Sequence, residues 1–300
     1  RAALKDRYVR PQITNSREGR ISIHDGRHPM VEHALKREMF VPNDTELNHT
    51  DQEMIIITGP NMAGKSTYMR QVAVLTIMAQ TGSFIPAKSA SFAPVDRIFT
   101  RVGAADDIST GQSTFMVEMK EVSHILCNAT KNSLILLDEI GRGTSTYDGM
   151  SIARAVVEYL NAKVHAYTLF ATHYHELSDM AAENEHIKNY TVTVKERGKE
   201  ITFLRRIVPG SADKSYGIHV ARLAGLPESL LKRADEILEG LEVEGIKEEP
   251  AAPVIRRKTA LNLFSSPIID ELADLDVMSK TPIEAMEILF RLSKEAKEGR

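Results

Sequence analysis

The sequence contains a single cysteine, Cys127, among its 300 residues. One cysteine forms no intramolecular disulfide, and a cysteine-based zinc site would lack its ligands. No apolar run approaches the roughly 20 residues that cross a bilayer, and no signal-type apolar stretch follows the basic N-terminus. These absences predict a protein of a reducing compartment that has no contact with a membrane, and they favour a cytoplasmic location.

The charges nearly cancel, since 38 Lys and Arg stand against 41 Asp and Glu, for a net charge of −3. This balance excludes a protein that grips nucleic acid through bulk charge, because that mode needs a concentrated basic face. Any DNA contact must therefore be local or lie outside this chain. Hydrophobic residues make up 42% of the sequence, enough for one large core or two modest ones. Residue 1 is Arg rather than Met, so we expect the chain to be cut from something longer.

Short apolar runs alternate with amphipathic helices along the chain. Buried strands are predicted at 54–57, 134–137 and 168–172, and a helix at 115–130. A further helix is expected after the second strand, with Asp148 as a candidate N-cap. This alternation predicts an α/β fold with a mostly parallel sheet covered by helices on both faces. Ligands of such sheets bind beyond the carboxyl ends of the strands.

The ends of the chain follow other patterns. Residues 1–20 are polar and irregular, whereas 190–194 and 201–207 alternate as the strands of a hairpin. Two short helices follow, at 218–224 and 227–241. The second carries an apolar stripe, which either packs in the core or forms a partner surface. The stripe consists of Leu230, Ala234, Ile237 and Leu241, with Leu231 and Leu238 beside it.

The segment that follows the first predicted strand fits the phosphate-binding pattern G-x-x-x-x-G-K-[ST]. Glycines let backbone N–H groups turn toward phosphates, and the following helix offers its positive end. We expect Lys65 to bridge the β- and γ-phosphates and the Ser66 hydroxyl to ligate Mg²⁺. The alternative is a chance glycine-rich turn. The loop consists of Gly59, Pro60, Asn61, Met62, Ala63, Gly64, Lys65, Ser66 and Thr67.

Two carboxylates, Asp138 and Glu139, follow the second apolar run. Adjacent strand residues point to opposite faces, so we expect Asp138 to face the Mg²⁺ shell and Glu139 to face an attacking water. The alternative is a solvated acidic turn. His173 follows the third strand, where a neutral imidazole would sense the γ-phosphate or orient the water. His175 invites a zinc interpretation, but no further ligands stand at a recognisable spacing, so a surface role is favoured.

A second polar segment, Ser109–Phe115, leads into the helix predicted at 115–130. Small hydroxylated residues there make a helix cap, which alone would explain Ser113 and Thr114. The same geometry also suits an anion. Because the phosphate loop already supplies one anion site, a second one suggests ATP held between two copies of the chain.

Four stretches of the sequence closely resemble the C-terminal ATPase domain of the MutS family of DNA mismatch repair proteins. The likeness runs from about Tyr8 to Leu241, and the tail Leu272–Lys297 is similar to the family's helical extension. Other ABC-type ATPases would carry an LSGGQ-like signature where this sequence has STGQSTF. The resemblance is therefore closer to the MutS family than to those ATPases. The four stretches are TGPNMAGKST at 58–67, DISTGQSTFMVEM at 107–119, LDEIGRGTSTYDG at 137–149 and FATH at 170–173.

The resemblance implies a P-loop NTPase of ABC type that works as a homodimer with composite ATP sites, followed by a small helical dimerisation element. It implies Mg²⁺ held by Ser66 and Asp138, Glu139 as base and His173 as a switch. It also places Ser113 on the γ-phosphate of the opposite subunit and Phe40 against adenine. The implied division is the end of a preceding region at 1–20, the ATPase domain at 21–210, a helix-turn-helix at 211–243, a linker at 244–266 and a C-terminal extension at 267–300.

The resemblance also implies partners. The family's mismatch reader and its connector, lever and clamp regions are absent here, so mismatched DNA would bind through regions outside this chain, and the chain alone should discriminate mismatches poorly. MutL is an expected partner. Leu261–Phe264 resembles a sliding-clamp motif, although Ala260 stands where that motif prefers Gln; a plain apolar patch is the alternative. Two other functions stay open: another ABC-type repair or chromosome-maintenance ATPase, and a nucleotide-binding dimerisation module without turnover.

Overall fold

The computed structural model describes most of the chain as far as residue 245. The described residues are 2–15, 19–35, 39–60, 63–103, 113–197, 200–211, 216–245 and 291. The chain divides into two units, Arg1–Val243 and Glu244–Arg300, and the first unit is the one described below. The sliding-clamp motif Leu261–Phe264 lies outside the described residues, as does almost all of the predicted linker and C-terminal extension. The subdivision implied by the resemblance stays a prediction.

Helices and strands alternate through the first unit, which is mixed α/β. None of its described helices is both long and apolar enough to cross a membrane. The helices are α1 (Ala2–Lys5), α2 (Pro29–Ala34), α3 (Lys65–Gln80), α4 (Thr114–Asn128), α5 (Thr146–Tyr159), α6 (Met180–Glu183), α7 (Gly217–Leu223) and α8 (Glu228–Gly245), with a π-helical turn at Leu160–Val164 and a 3₁₀ helix at His175–Asp179. The strands are β1 (Gln12–Ile13), β2 (Arg20–Gly26), β3 (Asn43–Asn48), β4 (Met54–Thr58), β5 (Ser89–Phe92), β6 (Ile98–Arg101), β7 (Leu134–Asp138), β8 (Tyr167–Ala171), β9 (Ile187–Arg197) and β10 (Glu200–Pro209).

The larger sheet has six strands in the order β10-β9-β4-β8-β7-β6. All of its pairings are parallel except the β9–β10 hairpin. The predicted mostly parallel sheet is therefore confirmed. Because β4, β7 and β8 run side by side in the same direction, their carboxyl ends meet at one edge, and the polar residues that follow them are brought together there.

Alternate residues of the central strands pack into two separate cores, one on each face of the larger sheet. Ile55 and Ile57 of β4 belong to the core that contains Met69 and Val72 of α3. Ile56 belongs to the opposite core, with side chains of α4 and α5 such as Val122 and Val156. Strands covered on both faces read as continuous apolar runs, and this is why the sequence shows MIII and LILL without alternation.

A second, four-stranded sheet in the order β1-β5-β2-β3 contradicts the irregular structure expected for residues 1–20. Within that segment α1 and β1 form, and the backbone at Val9 pairs with Ile85. Strand β1 has only two residues, Gln12 and Ile13, which pair with Ser91 and Phe92 of β5. So short a strand carries no periodicity, and its structure depends on a partner far along the chain.

The C-terminal stripe on α8 is split between core and surface. Leu231 is 1% exposed, whereas Leu230 and Ile237 are 50% and 48% exposed. Leu223 and Leu226, just before the helix, are exposed as well. The exposed members favour the partner-surface interpretation for that side of the helix, whereas Leu231 is a core residue.

Helix α5 begins one turn earlier than its predicted cap. Its N-cap is Ser145, whose hydroxyl accepts a hydrogen bond from the backbone N–H of Asp148 and donates one to the Asp148 carboxylate. The prediction of Asp148 as N-cap is therefore wrong. Asp148 lies in the first turn instead, where its carboxylate faces the positive end of the helix.

Candidate nucleotide-binding site

The loop between β4 and α3 has the backbone conformation that its glycines allow. Gly59 has φ +130° and Gly64 has φ +106°, a region that other residues rarely adopt. Gly64 is the N-cap of α3, so the N–H groups of the first helical turn open toward the loop. Ala63 is fully buried behind it. Asn61 and Met62 lie outside the described residues.

Lys65, the first residue of α3, turns its side chain back across this loop. Its Nζ donates hydrogen bonds to the carbonyl oxygens of Gly59 and Pro60, the second at 3.2 Å. The residue is 4% exposed, and burial lowers the pKa of its amine, while the nearby Glu139 and Asp138 carboxylates act in the opposite direction. A buried ammonium is thus held beside the two acidic residues predicted from the end of the second strand.

Asp138, the last residue of β7, meets α3 across the sheet edge. Its carboxylate lies next to the Ser66 hydroxyl on the wall of one cavity, close enough for that hydroxyl to lower the pKa of the acid. Its other interactions are incomplete, since Oδ1 is buried and has no hydrogen-bond partner among the described residues. Burial raises the pKa of Asp138 and the neighbouring Glu139 adds to this, whereas the Ser66 hydroxyl and the charges of Lys65 and Arg70 lower it. The two residues predicted to hold Mg²⁺ therefore lie side by side on the wall of one cavity.

Glu139 leaves the strand in a turn rather than continuing it. Its φ is +54°, and its backbone N–H donates to the carbonyl of Ala171 in β8, 2.9 Å away. Its carboxylate forms an ion pair with Arg142. The direction of the Glu139 side chain is therefore set by the left-handed turn and by Arg142, not by the strand alternation from which it was predicted.

Asp138 and Glu139 border one cavity of about 450 Å³. Ser66 and Arg142 also line it, and Thr114 enters from the first turn of α4. Ser113, just before it, is the N-cap of α4, because its hydroxyl accepts the backbone N–H of Met116 at 3.2 Å. The predicted cap is therefore confirmed. The preceding residues of that polar segment, 109–112, lie outside the described residues.

His173 follows β8 and its ring lies against Tyr174, with ring centroids 4.1 Å apart. Partial burial lowers the pKa of its imidazole, opposed by the charge of Glu139 and assisted by Arg142 and Lys65. The ring is otherwise exposed to solvent, and the lowered pKa favours its neutral form, which accepts a hydrogen bond. His175 begins the 3₁₀ helix and belongs to no metal-binding cluster within the described residues.

Phe40 lies near the predicted phosphate-binding loop, in a cavity different from the one that Asp138 and Glu139 border. It lines a cavity of about 160 Å³ together with Tyr68 and Arg205, next to Gly64 and Thr67. The structure thus brings Phe40 to the loop, although Gly64 lies 24 positions further along the chain. An aromatic ring beside a phosphate-binding loop is suited to stacking on the flat base of a nucleotide.

Several residues of the site were not predicted from the sequence. Arg142 and Arg70 border the larger cavity, and Arg205 borders the smaller. Arg205 has φ +56° at the irregular step of the hairpin, where its carbonyl accepts a hydrogen bond from the Asn43 side chain at 3.1 Å. No local signal marks such a bulge. Arg142 lies within GRGTSTYDG, one of the motifs that resemble the family, but its ion pair with Glu139 is visible only in the fold.

Comparison with known proteins gives one consistent result. A family model described as MutS domain V matches residues 55–242. The curated DNA mismatch repair protein MutS of Acetivibrio thermocellus is 52% identical over 98% of this chain. The corresponding proteins of Methanococcoides burtonii and Caldicellulosiruptor bescii are 53% and 54% identical over 99% and 98% of it. The chain spans about 35% of the length of each of these relatives.

Proposed function

The chain belongs to the MutS family of DNA mismatch repair proteins, and on that premise we propose that it is the part that binds and hydrolyses ATP. In this proposal two copies form a homodimer with composite ATP sites. Nucleotide state in these sites is coupled to the recognition of mismatched DNA and to downstream signalling. The DNA itself binds through regions outside this chain, which spans about 35% of its relatives.

One observation carries the proposal: the buried Oδ1 of Asp138, which has no hydrogen-bond partner within the described part of the chain, lies beside the Ser66 hydroxyl at the carboxyl edge of the sheet. A buried carboxylate oxygen without a partner is costly and calls for a ligand. Hydroxyl and carboxylate oxygens are what Mg²⁺ prefers, and Mg²⁺ takes only one or two protein ligands when a nucleotide supplies the rest. The residues therefore fit Mg²⁺ bound with ATP or ADP.

The residues around this pair suit the rest of a nucleotide. The N–H groups of the Gly59–Thr67 loop and the N-terminus of α3 favour phosphate groups. Lys65, now bonded to the carbonyls of Gly59 and Pro60, would exchange them for β- and γ-phosphate oxygens. Phe40 would stack on adenine in the smaller cavity. When bound, Mg²⁺ supplies positive charge that neutralises the phosphates during transfer.

Hydrolysis requires a base, and the position of Glu139 at the edge of the larger cavity supports this role. Its carboxylate would take a proton from water as the water oxygen attacks the γ-phosphorus, releasing ADP and phosphate. For this the ion pair between Glu139 and Arg142 has to open. Neutral His173 would accept a hydrogen bond near the same centre, and Ser113 would complete the site of the opposite subunit.

The alternative is a nucleotide-binding dimerisation module without turnover. It is favoured by the same Glu139–Arg142 ion pair, because a carboxylate held by a guanidinium is a weaker base. Another ABC-type repair ATPase is disfavoured by the match to MutS domain V over residues 55–242.

The partner assignments rest on less. The exposed apolar side chains of Leu223, Leu226, Leu230 and Ile237 support a helical dimer contact, since soluble surfaces seldom group such residues. A contact with MutL comes from family membership. The contact of Leu261–Phe264 with a sliding clamp comes from the motif.

Calorimetry and single-turnover hydrolysis test the proposal together. We expect heat of association with magnesium and adenine nucleotides, and a hydrolysis rate per subunit that rises with protein concentration, because each site needs the second copy. A flat, measurable rate would indicate a self-sufficient monomer. Binding without turnover at any concentration would favour the dimerisation module, and the absence of binding would overturn the proposal.

The Asp138→Asn variant should be more stable than the wild type at neutral pH when neither magnesium nor nucleotide is present. Burial raises the pKa of Asp138 above its ordinary value of 3.8, so the folded protein binds this proton more tightly than the unfolded chain. This group's contribution to stability therefore falls as pH rises from about 4 through the folded pKa, and it stays low above that. Neutral Asn avoids the loss. We expect a gain of roughly 0.5 to 2 kcal/mol, the range common for single stabilising substitutions.

Urea unfolding at pH 7 and pH 4 measures this difference. The gain of the variant over the wild type should shrink toward pH 4, and magnesium with ADP should stabilise only the wild type, because ligand binding to the folded state adds RT ln(1 + [L]/Kd). A variant less stable than the wild type at pH 7 would show that the Asp138 carboxylate stabilises the fold, and it would contradict a role as a metal ligand that destabilises the unliganded protein.

A further inference from the structure

Glu118 is a buried carboxylate on α4 that reaches across to the turn carrying Glu139. Its side chain is 7% exposed. Oε1 accepts a hydrogen bond from the backbone N–H of Gly141 at 2.6 Å, and Oε2 lies 3.4 Å from a guanidinium nitrogen of Arg101. A carboxylate that accepts a backbone N–H makes a charge-assisted bond, about twice as strong as a neutral one.

The backbone of the turn from Glu139 to Gly141 is held by several hydrogen bonds. Gly141 has φ +87°, and its carbonyl accepts the Tyr174 hydroxyl at 3.1 Å. The N–H of Glu139 is bonded to Ala171 of β8. The backbone is thus fixed at residue 139 by the sheet and at residue 141 by α4, so the Glu139 side chain projects from a segment held at both ends.

Arg101 ties Glu118 to the end of β6 in the same sheet. The guanidinium is 7% exposed, and one of its N–H groups donates to the Gly103 carbonyl at 2.7 Å. Its Nε lies 2.9 Å from Glu121, although the N–H does not point at that carboxylate. Glu118 therefore sits between a buried cation and a backbone N–H, and both fix its position.

The first turn of α4 also packs directly on the same turn. A methyl group at Gly143 would lie 3.1 Å from the Cβ of Phe115, so the two backbones are in close contact. Thr114 lines the cavity that Asp138 and Glu139 border. Helix α4 therefore holds the Glu139 turn at Gly141 and at Gly143, and its N-terminus opens on the cavity.

We propose that Glu118 is a positioning residue, which sets the direction of Glu139 through the Gly141 N–H and links it to the N-terminus of α4. This inference rests on the proposed function. In the proposed dimer, Ser113 at the start of α4 faces the nucleotide of the opposite subunit. A shift of α4 on that contact moves Gly141, and with it the base of the subunit's own site. The two ATP sites are thereby coupled through one side chain in each subunit.

Glu118→Asp tests the inference in the full chain, because it keeps the charge and shortens the reach by one methylene. We expect kcat for ATP to fall about tenfold to hundredfold, since an angstrom of misplacement costs that much, while the Kd for ATP stays within about twofold. Glu118→Gln keeps an acceptor for Gly141 without the charge, so its kcat should lie between those of the wild type and Glu118→Asp.

The matched control is Glu121→Asp, one turn along the same helix. Glu121 also approaches Arg101 but is 50% exposed and does not contact Gly141. Its kcat should stay within about twofold of the wild type. A merely structural role for Glu118 would raise the Kd and lower the thermal stability together with kcat. A positioning role lowers kcat alone, and partial rescue by Gln supports it.

The outcomes separate the inference from the function on which it rests. A wild type without Glu139-dependent hydrolysis would defeat the proposed function. A wild type that hydrolyses ATP, together with Glu118→Asp of unchanged kcat, would overturn only the positioning role. If Glu118→Asp does not fold, Glu118→Gln decides: a kcat equal to that of the wild type overturns the inference, and a lower kcat at unchanged Kd supports it.

Discussion

The Glu139→Gln variant is expected to bind ATP and to hydrolyse it about 10² to 10⁴ times more slowly than the wild type. Gln has the shape of Glu but takes no proton from water, so the chemical step loses its base while the cavity keeps its size. The change also removes a negative charge beside the phosphates and the ion pair that occupies Arg142. The Kd for ATP should therefore be equal to that of the wild type or lower.

Single-turnover hydrolysis gives the rate, and calorimetry with magnesium and ATP gives the Kd. The matched control is Glu176→Gln, an exposed carboxylate whose charge reaches His173 but which does not line the cavity. We expect its rate to be within about twofold of the wild type, since an exposed charge has little effect at a distance. Hydrolysis by Glu139→Gln at the wild-type rate would remove Glu139 from the mechanism and assign the role of base to another group.

The Gly149→Ala variant should lose about 3 kcal/mol of the free energy of unfolding. A methyl group there would collide with the carbonyl oxygen of Gly141 and with the Tyr174 hydroxyl. The Gly141 carbonyl belongs to the backbone of the Glu139 turn, which cannot move without breaking the bonds to Ala171 and Glu118. A collision with the backbone carbonyl of a turn that is held at both ends cannot be relieved by a small shift, and the small gain in helix propensity does not offset it.

The control is Gly240→Ala, which makes the same substitution at a helical position with open space around it. Gly240 also lies inside a helix, α8, but nothing lies within 4 Å of a methyl group there. The same substitution should therefore raise stability, by up to about 1 kcal/mol, through helix propensity. Urea unfolding of the two variants measures both. Similar effects at both positions would mean that the close packing of Gly149 on Gly141 makes no contribution to the free energy of unfolding. The turn would then not be held as described.

The parts of the site that lie close together in sequence were predictable. Gly59 and Gly64 frame a loop between a β-branched run and a helix, and the loop forms at that place. Asp138 follows a short apolar run that is typical of a buried strand. Such features depend on local pattern and on the parallel arrangement of the strands, and both are visible without coordinates. Which residues hold nucleotide and Mg²⁺ stays a prediction from motif and resemblance.

The contacts between distant segments were not predictable. Glu118 is 23 residues from the Gly141 N–H that it accepts, and its carboxylate appeared in the sequence as one more polar residue of an amphipathic helix. Arg205 lines the smaller cavity, and it lies where the register of the β9–β10 hairpin shifts. The cap of α5 was misassigned because Ser145 and Asp148 are both good caps, and only the backbone conformation decides between them.

The sequence by itself determined where the central strands of the larger sheet run and which polar groups follow them, because burial forces apolar runs inward and leaves the residues after them at the edge. Only the tertiary structure decided what those groups touch. The ion pair of Glu139 with Arg142, the hold of Glu118 on the Gly141 N–H and the second sheet built from β1, β2, β3 and β5 depend on long-range packing. Hydrophobic periodicity carries no information about such pairings, since it records which side of an element is buried and not which residue lies opposite.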